Sequence, residues 1–181
     1  MENKIKPRRC KICQIVFTPA RQLQGVCGYD CAKAYTNKLK ENKARQEKKI
    51  LKEKLKTLSE YEADAKKAFQ KWVRLRDADL PCISCGNSNT TDWAGGHFYS
   101  AGMYSGFIFD ERNCHKQCNT HCNKHLSGNL LEYRKGLIKR YGNDFVNELD
   151  AISDSKRDYK YTKAELIAKK LKYDILIKEM K

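Results

Sequence analysis

Closely spaced cysteine pairs constrain this chain more than any other feature. Cys10-x2-Cys13 is followed by Cys27-x3-Cys31, and Cys82-x2-Cys85 by Cys118-x3-Cys122, with Cys114 left over as the ninth cysteine. A two-residue gap bends the backbone so that both sulfurs reach one ion, and a second pair completes a tetrahedral site. The first of these segments has too little apolar area to fold without such a staple. Two structural zinc sites are therefore expected, at Cys10, Cys13, Cys27 and Cys31 and at Cys82, Cys85, Cys118 and Cys122. Four thiolates leave no open coordination position, so neither site is expected to be catalytic. The competing readings are redox cysteines or free buried thiols, and His121 is an alternative ligand in the second site. An odd cysteine count argues against a full disulfide framework.

The segment Met1 to Arg9 is polar and basic, with no secretory signal visible. The longest charge-free run, Trp93 to Phe109, is broken by four glycines, so no membrane span is expected. A reducing cytoplasm follows as the expected compartment. Lys and Arg number 37 against 22 Asp and Glu, a net charge of +15, which fits either a solvated surface or a polyanionic partner.

The chain divides, on this reading, into a zinc knuckle (residues 1–35), a basic helical arm (36–78), a zinc-stabilised core (79–150) and a C-terminal amphipathic helix (151–181). The fold class expected is α+β and mainly helical. From Lys33 to Asp77 there is no Pro or Gly, and strong helix formers dominate. Lys38, Lys40, Lys43, Arg45, Lys48 and Lys49 lie on this arm, which reads as a phosphate-tracking helix or as a charged linker that breaks near Ser59. Tyr61, Ala65, Ala68, Phe69, Trp72, Val73 and Leu75 then form a helical stripe, stopped by Pro81. Phe107, Ile108 and Phe109 are β-formers. Leu130, Tyr133, Leu137 and Tyr141 sit at helical spacing before Gly142. Thr162 to Glu165 is a capping box opening a last helix with Ala164, Ile167, Leu171 and Ile175 on one face.

All four histidines lie between positions 97 and 125. His97 beside a zinc-pinned loop, then Asn113, then Asn123 directly after Cys122, is the layout of an HNH (ββα-metal) nuclease. One imidazole activates water against a phosphodiester, and a divalent metal neutralises the developing charge. The bland alternative is a binding module whose histidines are zinc ligands or surface residues.

The string Arg76-Asp77, Leu80-Pro81-Cys82-Ile83-Ser84-Cys85-Gly86, Gly96-His97, Asn113-x-His115-Lys116-Gln117-Cys118, Cys122-Asn123 and Ser127-Gly128-Asn129 resembles the phage NinG family, which includes the Rap recombination endonuclease of lambdoid phages. The resemblance implies a structure-specific endonuclease acting on Holliday junctions and D-loops in the cytoplasm of an infected bacterial host, with Mg²⁺ or Mn²⁺ as catalytic metal. It implies His97 as general base and, with Asn123, as ligand of the catalytic divalent metal, Asn113 as the middle asparagine, and His115 as ligand or phosphate contact. Lys116 joins the arm cations as an expected DNA contact. A homodimer would suit paired nicks on a two-fold junction. Two departures stand out. The last cysteine gap is three residues where the family's usual gap is two, and Gly96 occupies the place where HNH enzymes carry an acidic or histidine ligand. Asp92 lies five residues upstream of His97.

Overall fold

A computed structural model describes residues 5–180; the ends of the segments drawn above, residues 1–4 and 181, lie outside the described residues. The chain forms two compact units, Met1–Lys56 and Thr57–Lys181. Helices and strands are mixed, with helix predominating.

In the first unit, strands β1 (Arg8–Arg9) and β2 (Val16–Phe17) pair antiparallel around a tight knuckle. The knuckle turn closes through the Cys10 amide on the Ile15 carbonyl (2.9 Å), and Gln14 takes a left-handed φ of 62° to make it. Helix α1 (Tyr29–Lys54) follows and buries no residue along its length. Its propensity and charge are enough for a helix without a core-facing stripe.

The arm breaks after Lys54, and helix α2 (Leu58–Arg76) restarts on a capping box. Thr57 accepts from the Glu60 amide while the Glu60 carboxylate accepts from the Thr57 amide at 2.7 Å. The expected stripe on α2 buries Tyr61, Ala65, Ala68, Phe69, Trp72 and Val73, while Leu75 stays exposed. It packs on helix α5 (Lys163–Glu179), with Phe69 and Tyr173 ring centroids 4.9 Å apart. Each such buried aromatic is worth roughly 1.5–3 kcal/mol of transfer free energy.

The face of α5 differs from the sequence expectation. Leu166, Tyr173 and Ile177 are buried, whereas Ile167, Leu171 and Ile175 face solvent. The aromatic ring of Tyr173, lying against both Phe69 and Trp72, outweighs the aliphatic stripe in choosing the face. The capping box at Thr162 forms as expected.

Strands β3 (Trp93–His97) and β4 (Cys114–Cys118) form an antiparallel pair with His97 opposite Cys114 and Gly96 opposite His115. The loop between them carries Phe107, Ile108 and Phe109, all buried, around a 3₁₀ turn (Ser105–Phe107) rather than a strand. These residues serve as the loop's own core. A wide π-type turn (Asn119–His125) leads into α3 (Leu130–Tyr141) and α4 (Asn143–Ile152). Gly142 ends α3 with φ 91°, as its position suggested. Tyr133, Leu137 and Val146 from these helices close a second core cluster with Ile83 and Phe98. Among the described residues no helix is long and apolar enough to cross a membrane.

Candidate functional site

The sulfurs of Cys10, Cys13, Cys27 and Cys31 converge, and so do those of Cys82, Cys85, Cys118 and Cys122, each set within 4.8 Å. Sulfur separations are 3.6 Å for Cys13–Cys27 and for Cys27–Cys31, 3.9 Å for Cys82–Cys122 and 3.6 Å for Cys85–Cys118. A tetrahedron with metal–sulfur bonds of about 2.3 Å has edges of about 3.8 Å, so both clusters fit zinc and neither fits disulfides of about 2.05 Å. Burial opposes the Cys82 thiolate, but amides of Cys85, Cys118 and Ser84 outweigh it and pull its pKa down. The Cys118 amide donates to the Cys82 sulfur at 3.3 Å. Asn129 Nδ2 donates to the Cys122 sulfur at 3.8 Å, an outer contact of the kind that orients ligands. Cys114 belongs to neither cluster; burial pushes its thiol pKa up and leaves it inert. His121 is exposed and outside the second cluster.

His97 ends β3 with its ring half-buried, 6.2 Å from the Phe69 ring. Its Nε2 lies 3.0 Å from the Ile108 carbonyl oxygen. A carbonyl only accepts, so Nε2 carries the proton and Nδ1 keeps a lone pair. Burial lowers the His97 pKa, the Ile108 bond raises it, and the charge of Lys66 lowers it again, for a net lowering. The ring is therefore neutral at pH 7.

Asn113 is fully buried and ties the loop that His97 leans on. Its Oδ1 accepts from the Tyr99 amide at 2.7 Å. Its Nδ2 donates to the carbonyls of Tyr99 (2.9 Å) and Phe107 (3.3 Å), next to Ile108. The Phe98 amide donates to the Asn113 carbonyl at 2.9 Å. Asn113 thus positions the carbonyl that fixes the His97 tautomer. Asn123 sits half-buried on the turn after Cys122, as the order of the motif requires.

Two sequence-predicted residues are placed elsewhere. His115 is one position along β4 from the partner of His97, so it faces the opposite side of the pair. There the Tyr133 hydroxyl donates to the Gly96 carbonyl at 2.9 Å, and His115 Nδ1 donates to the Tyr133 oxygen at 3.1 Å. Burial, reinforced by the charge of Arg76 against that of Asp77, pushes the His115 pKa down to about 3. His115 is a core histidine, 2% exposed. Lys116 is only 4% exposed; its Nζ donates to the Ala78 carbonyl at 2.6 Å and lies 4.4 Å over the Trp93 ring. That charge is used inside the fold and is shut off from solvent. The arm cations Lys38, Lys40, Lys43, Arg45, Lys48 and Lys49 are all exposed.

Gly96 explains one departure from the HNH pattern. A Cβ there would collide with Gln117 Oε1. Gln117 Nε2 donates to Ser84 Oγ (2.6 Å) and to the Gly128 carbonyl (2.7 Å), which locks the carboxamide in that space. Asp92 does not substitute for the missing acid. It accepts from Asn119 Nδ2 at 2.9 Å and from the Thr120 amide at 3.0 Å, capping the wide turn. Among the described residues, the two cysteine clusters are the only converging groups of three or more His, Cys, Asp or Glu. The chain's own donors thus fit two zinc ions; for a hard catalytic cation they are incomplete.

Arg76-Asp77, which opens the family string but has no role assigned in it, forms a clamp at the end of α2. Arg76 Nε donates to Asp77 Oδ1 at 2.7 Å and Nη2 to Oδ2 at 2.9 Å. The same guanidinium holds the carbonyls of Glu111 (3.0 Å) and Cys114 (2.8 Å), and Asp77 accepts from the Lys116 amide at 2.9 Å. The pair therefore pins β4 and the end of the β3–β4 loop to α2. Its only sequence signal was an adjacent Arg-Asp at a helix end.

The family model described as "Bacteriophage Lambda NinG protein" matches residues 2–181. The chain belongs to the NinG family. It is 36% identical to a protein ninG of Escherichia phage 933W, with 96% of this chain and 94% of that protein covered. Against the protein ninG of Salmonella phage P22 it is 37% identical over 96% of this chain and 94% of the relative. Against that of Escherichia phage lambda the identity is 34%, over all of this chain and 97% of the relative. No solved structure matches it. A phage protein with two four-cysteine clusters able to hold zinc is thus established for this NinG-family chain.

Proposed function

We propose that this chain is a metal-dependent endonuclease that hydrolyses phosphodiester bonds in branched DNA such as Holliday junctions and D-loops. The observation that carries the reading is the neutral imidazole of His97, anchored by Nε2 on the Ile108 carbonyl with Nδ1 left as a base. It ends the first strand of a zinc-flanked strand–loop–strand unit whose loop Asn113 ties. Nδ1 takes the proton of a water attacking phosphorus. One free nitrogen serves as base or as metal ligand, so His97 is the base and leaves the cation. Mg²⁺ or Mn²⁺ supplies charge neutralisation at the phosphate. Asn123 and the substrate's own oxygens would hold it, since such ions are often bound through substrate phosphates. The exposed arm cations track the backbone, and a homodimer would nick the two related strands of a junction. The working compartment is the cytoplasm of the infected bacterium.

The test is cleavage of a synthetic four-way junction with Mg²⁺ or Mn²⁺ by wild type and His97→Ala. Loss of a general base lowers the rate by about 10²–10⁴-fold. A folded, zinc-loaded variant that cuts like wild type overturns the assignment.

A second reading is a non-catalytic, zinc-stabilised nucleic-acid-binding protein. Charge distribution favours it: residues 1–56 carry 16 basic and 5 acidic side chains, so +11 of the +15 sits in the first unit. It predicts salt-dependent binding with no cutting under either metal.

A further inference from the structure

We infer that the groove between the second cysteine knuckle and α3 is a phosphate seat, occupied by a backbone phosphate of the bound nucleic acid. The groove has a volume of about 430 Å³ and is bounded by the knuckle, residues 81–86, and by Glu132, Lys135, Gly136, Lys139 and Arg140 of α3, the Glu132 carboxylate being neutralised by Lys135. The inference rests on the nucleic-acid part of the reading above and is independent of cleavage.

Arg140 carries the argument. Its Nη2 donates to the Pro81 carbonyl at 3.1 Å, which fixes the guanidinium against the groove wall. Its Nη1 is buried and has no hydrogen-bond partner. An unpaired buried donor costs about 1–3 kcal/mol, and more when charged, so a small turn of the guanidinium that brings Nη1 from behind the wall to an acceptor in the groove is favoured. Lys139, the neighbouring residue, is exposed and makes no hydrogen bond or ion pair among the described residues. Lys135, one turn earlier, is engaged by Glu132 at 2.6 Å and contributes less. One fixed guanidinium and one free ammonium facing a common cavity match an oxyanion, which a guanidinium holds in a defined geometry and an ammonium as a point charge.

The groove exists because Gly136 lets α3 approach the knuckle. A Cβ at Gly136 would run into the Ile83 carbonyl, so any other residue would push the helix off the groove floor. The knuckle that holds the second metal cluster thereby also forms one wall of the seat. Lys116, which the sequence offered as the cation of this unit, is spent internally; Arg140 and Lys139 take over that role.

The shared chemistry is a phosphate oxyanion, and two arms separate its sources. In the first, anisotropy of a labelled four-way junction is followed at stepped KCl without Mg²⁺ or Mn²⁺, using full-length, zinc-loaded protein. Each lost phosphate contact lowers the salt slope by about 0.9, so Lys139→Gln should lower it by about one and Lys139→Gln/Arg140→Gln by about two. Lys139→Gln removes no contact of the fold and keeps the test open if the double variant does not fold. In the second arm, inorganic phosphate is titrated while amide resonances of Ser84–Gly86 and Gly136–Arg140 are observed. Unchanged slope and affinity in Lys139→Gln, with those amides shifting in phosphate, would assign the seat to free phosphate and overturn the nucleic-acid occupant. Unchanged slope with no shift would overturn the seat itself. Loss of slope with cleavage chemistry absent in wild type would support the seat while the nuclease reading fails.

Discussion

Replacing Asp77 tests how the unit holds its histidine loop in place. The carboxylate is 2% exposed and accepts three hydrogen bonds, two from Arg76 and one from the Lys116 amide. Removing one partner of a buried pair costs about 3–5 kcal/mol, because the remaining charge is left uncompensated. Arg76 would still hold the carbonyls of Glu111 and Cys114, so Asp77→Ala belongs at the lower end, about 3 kcal/mol. Asp77→Asn keeps the shape but turns one acceptor into a donor facing other donors, for about 2 kcal/mol. Trp72 and Trp93 both lie in this unit and report its unfolding in urea by fluorescence. With a slope near ~2 kcal/mol/M, the midpoint of Asp77→Ala should fall by about 1.5 M. Arg76 also grips the carbonyl of Cys114, the strand partner of His97, so the proposed junction cleavage should fall along with stability. A midpoint within about 0.2 M of wild type, at unchanged zinc content, would refute the clamp.

Gly136→Ala normally gains up to ~1 kcal/mol of helix propensity, but here the methyl would meet the Ile83 carbonyl. Net destabilisation of about 2 kcal/mol or more is expected in the same urea assay; a neutral or stabilised variant would show that α3 does not press on the knuckle. Acid should weaken the second unit in two stages. The His115 pKa falls from 6.5 to about 3 on folding, so its contribution is complete above pH 6.5 and is lost as pH drops towards 3, by about 2 kcal/mol at pH 5. Asp77, held below its usual range by Arg76 despite burial, adds stability above pH 3.8 that disappears as pH falls through its folded value. His115→Phe, compared with wild type in urea at pH 7 and pH 5, should flatten the first stage; an unchanged pH dependence would contradict the buried, neutral ring.

Both cysteine clusters were legible because thiolate spacing is local information that survives any tertiary arrangement. The break between α1 and α2 was nearly so, since Thr57 and Glu60 cap the second helix by themselves. The buried face of α5 was not legible, because its choice depends on two rings of α2 a hundred residues away. Lys116 misled for a related reason. A lysine next to a metal cysteine looks like a phosphate contact until the Trp93 ring and the Ala78 carbonyl are placed around it. The roles of Arg76 and Arg140 were not legible because the carbonyls their guanidiniums grip, of Glu111, Cys114 and Pro81, have no signature in sequence.

His97 and His115 make the general point in miniature. They lie on neighbouring strands of one small sheet and both are neutral by burial, His97 being the expected base and His115 the expected ligand or phosphate contact. What separates them is exposure, since His97 is half-buried at the strand end and His115 is 2% exposed. His97 gives its proton to a carbonyl in a loop that Asn113 holds rigid, which leaves Nδ1 free. His115 gives its proton to a tyrosine oxygen whose own proton goes to Gly96, closing a chain inside the core. Strand alternation decides this, because one step along β4 moves a side chain from the α2 face to the α3 face. Each ring keeps its other nitrogen outside the hydrogen bond that orients it, so only the ring nearer solvent can use that nitrogen on a substrate. In this sheet the register of Gly96 against His115 sends one ring into the core and leaves the other at the strand end, where the loop begins.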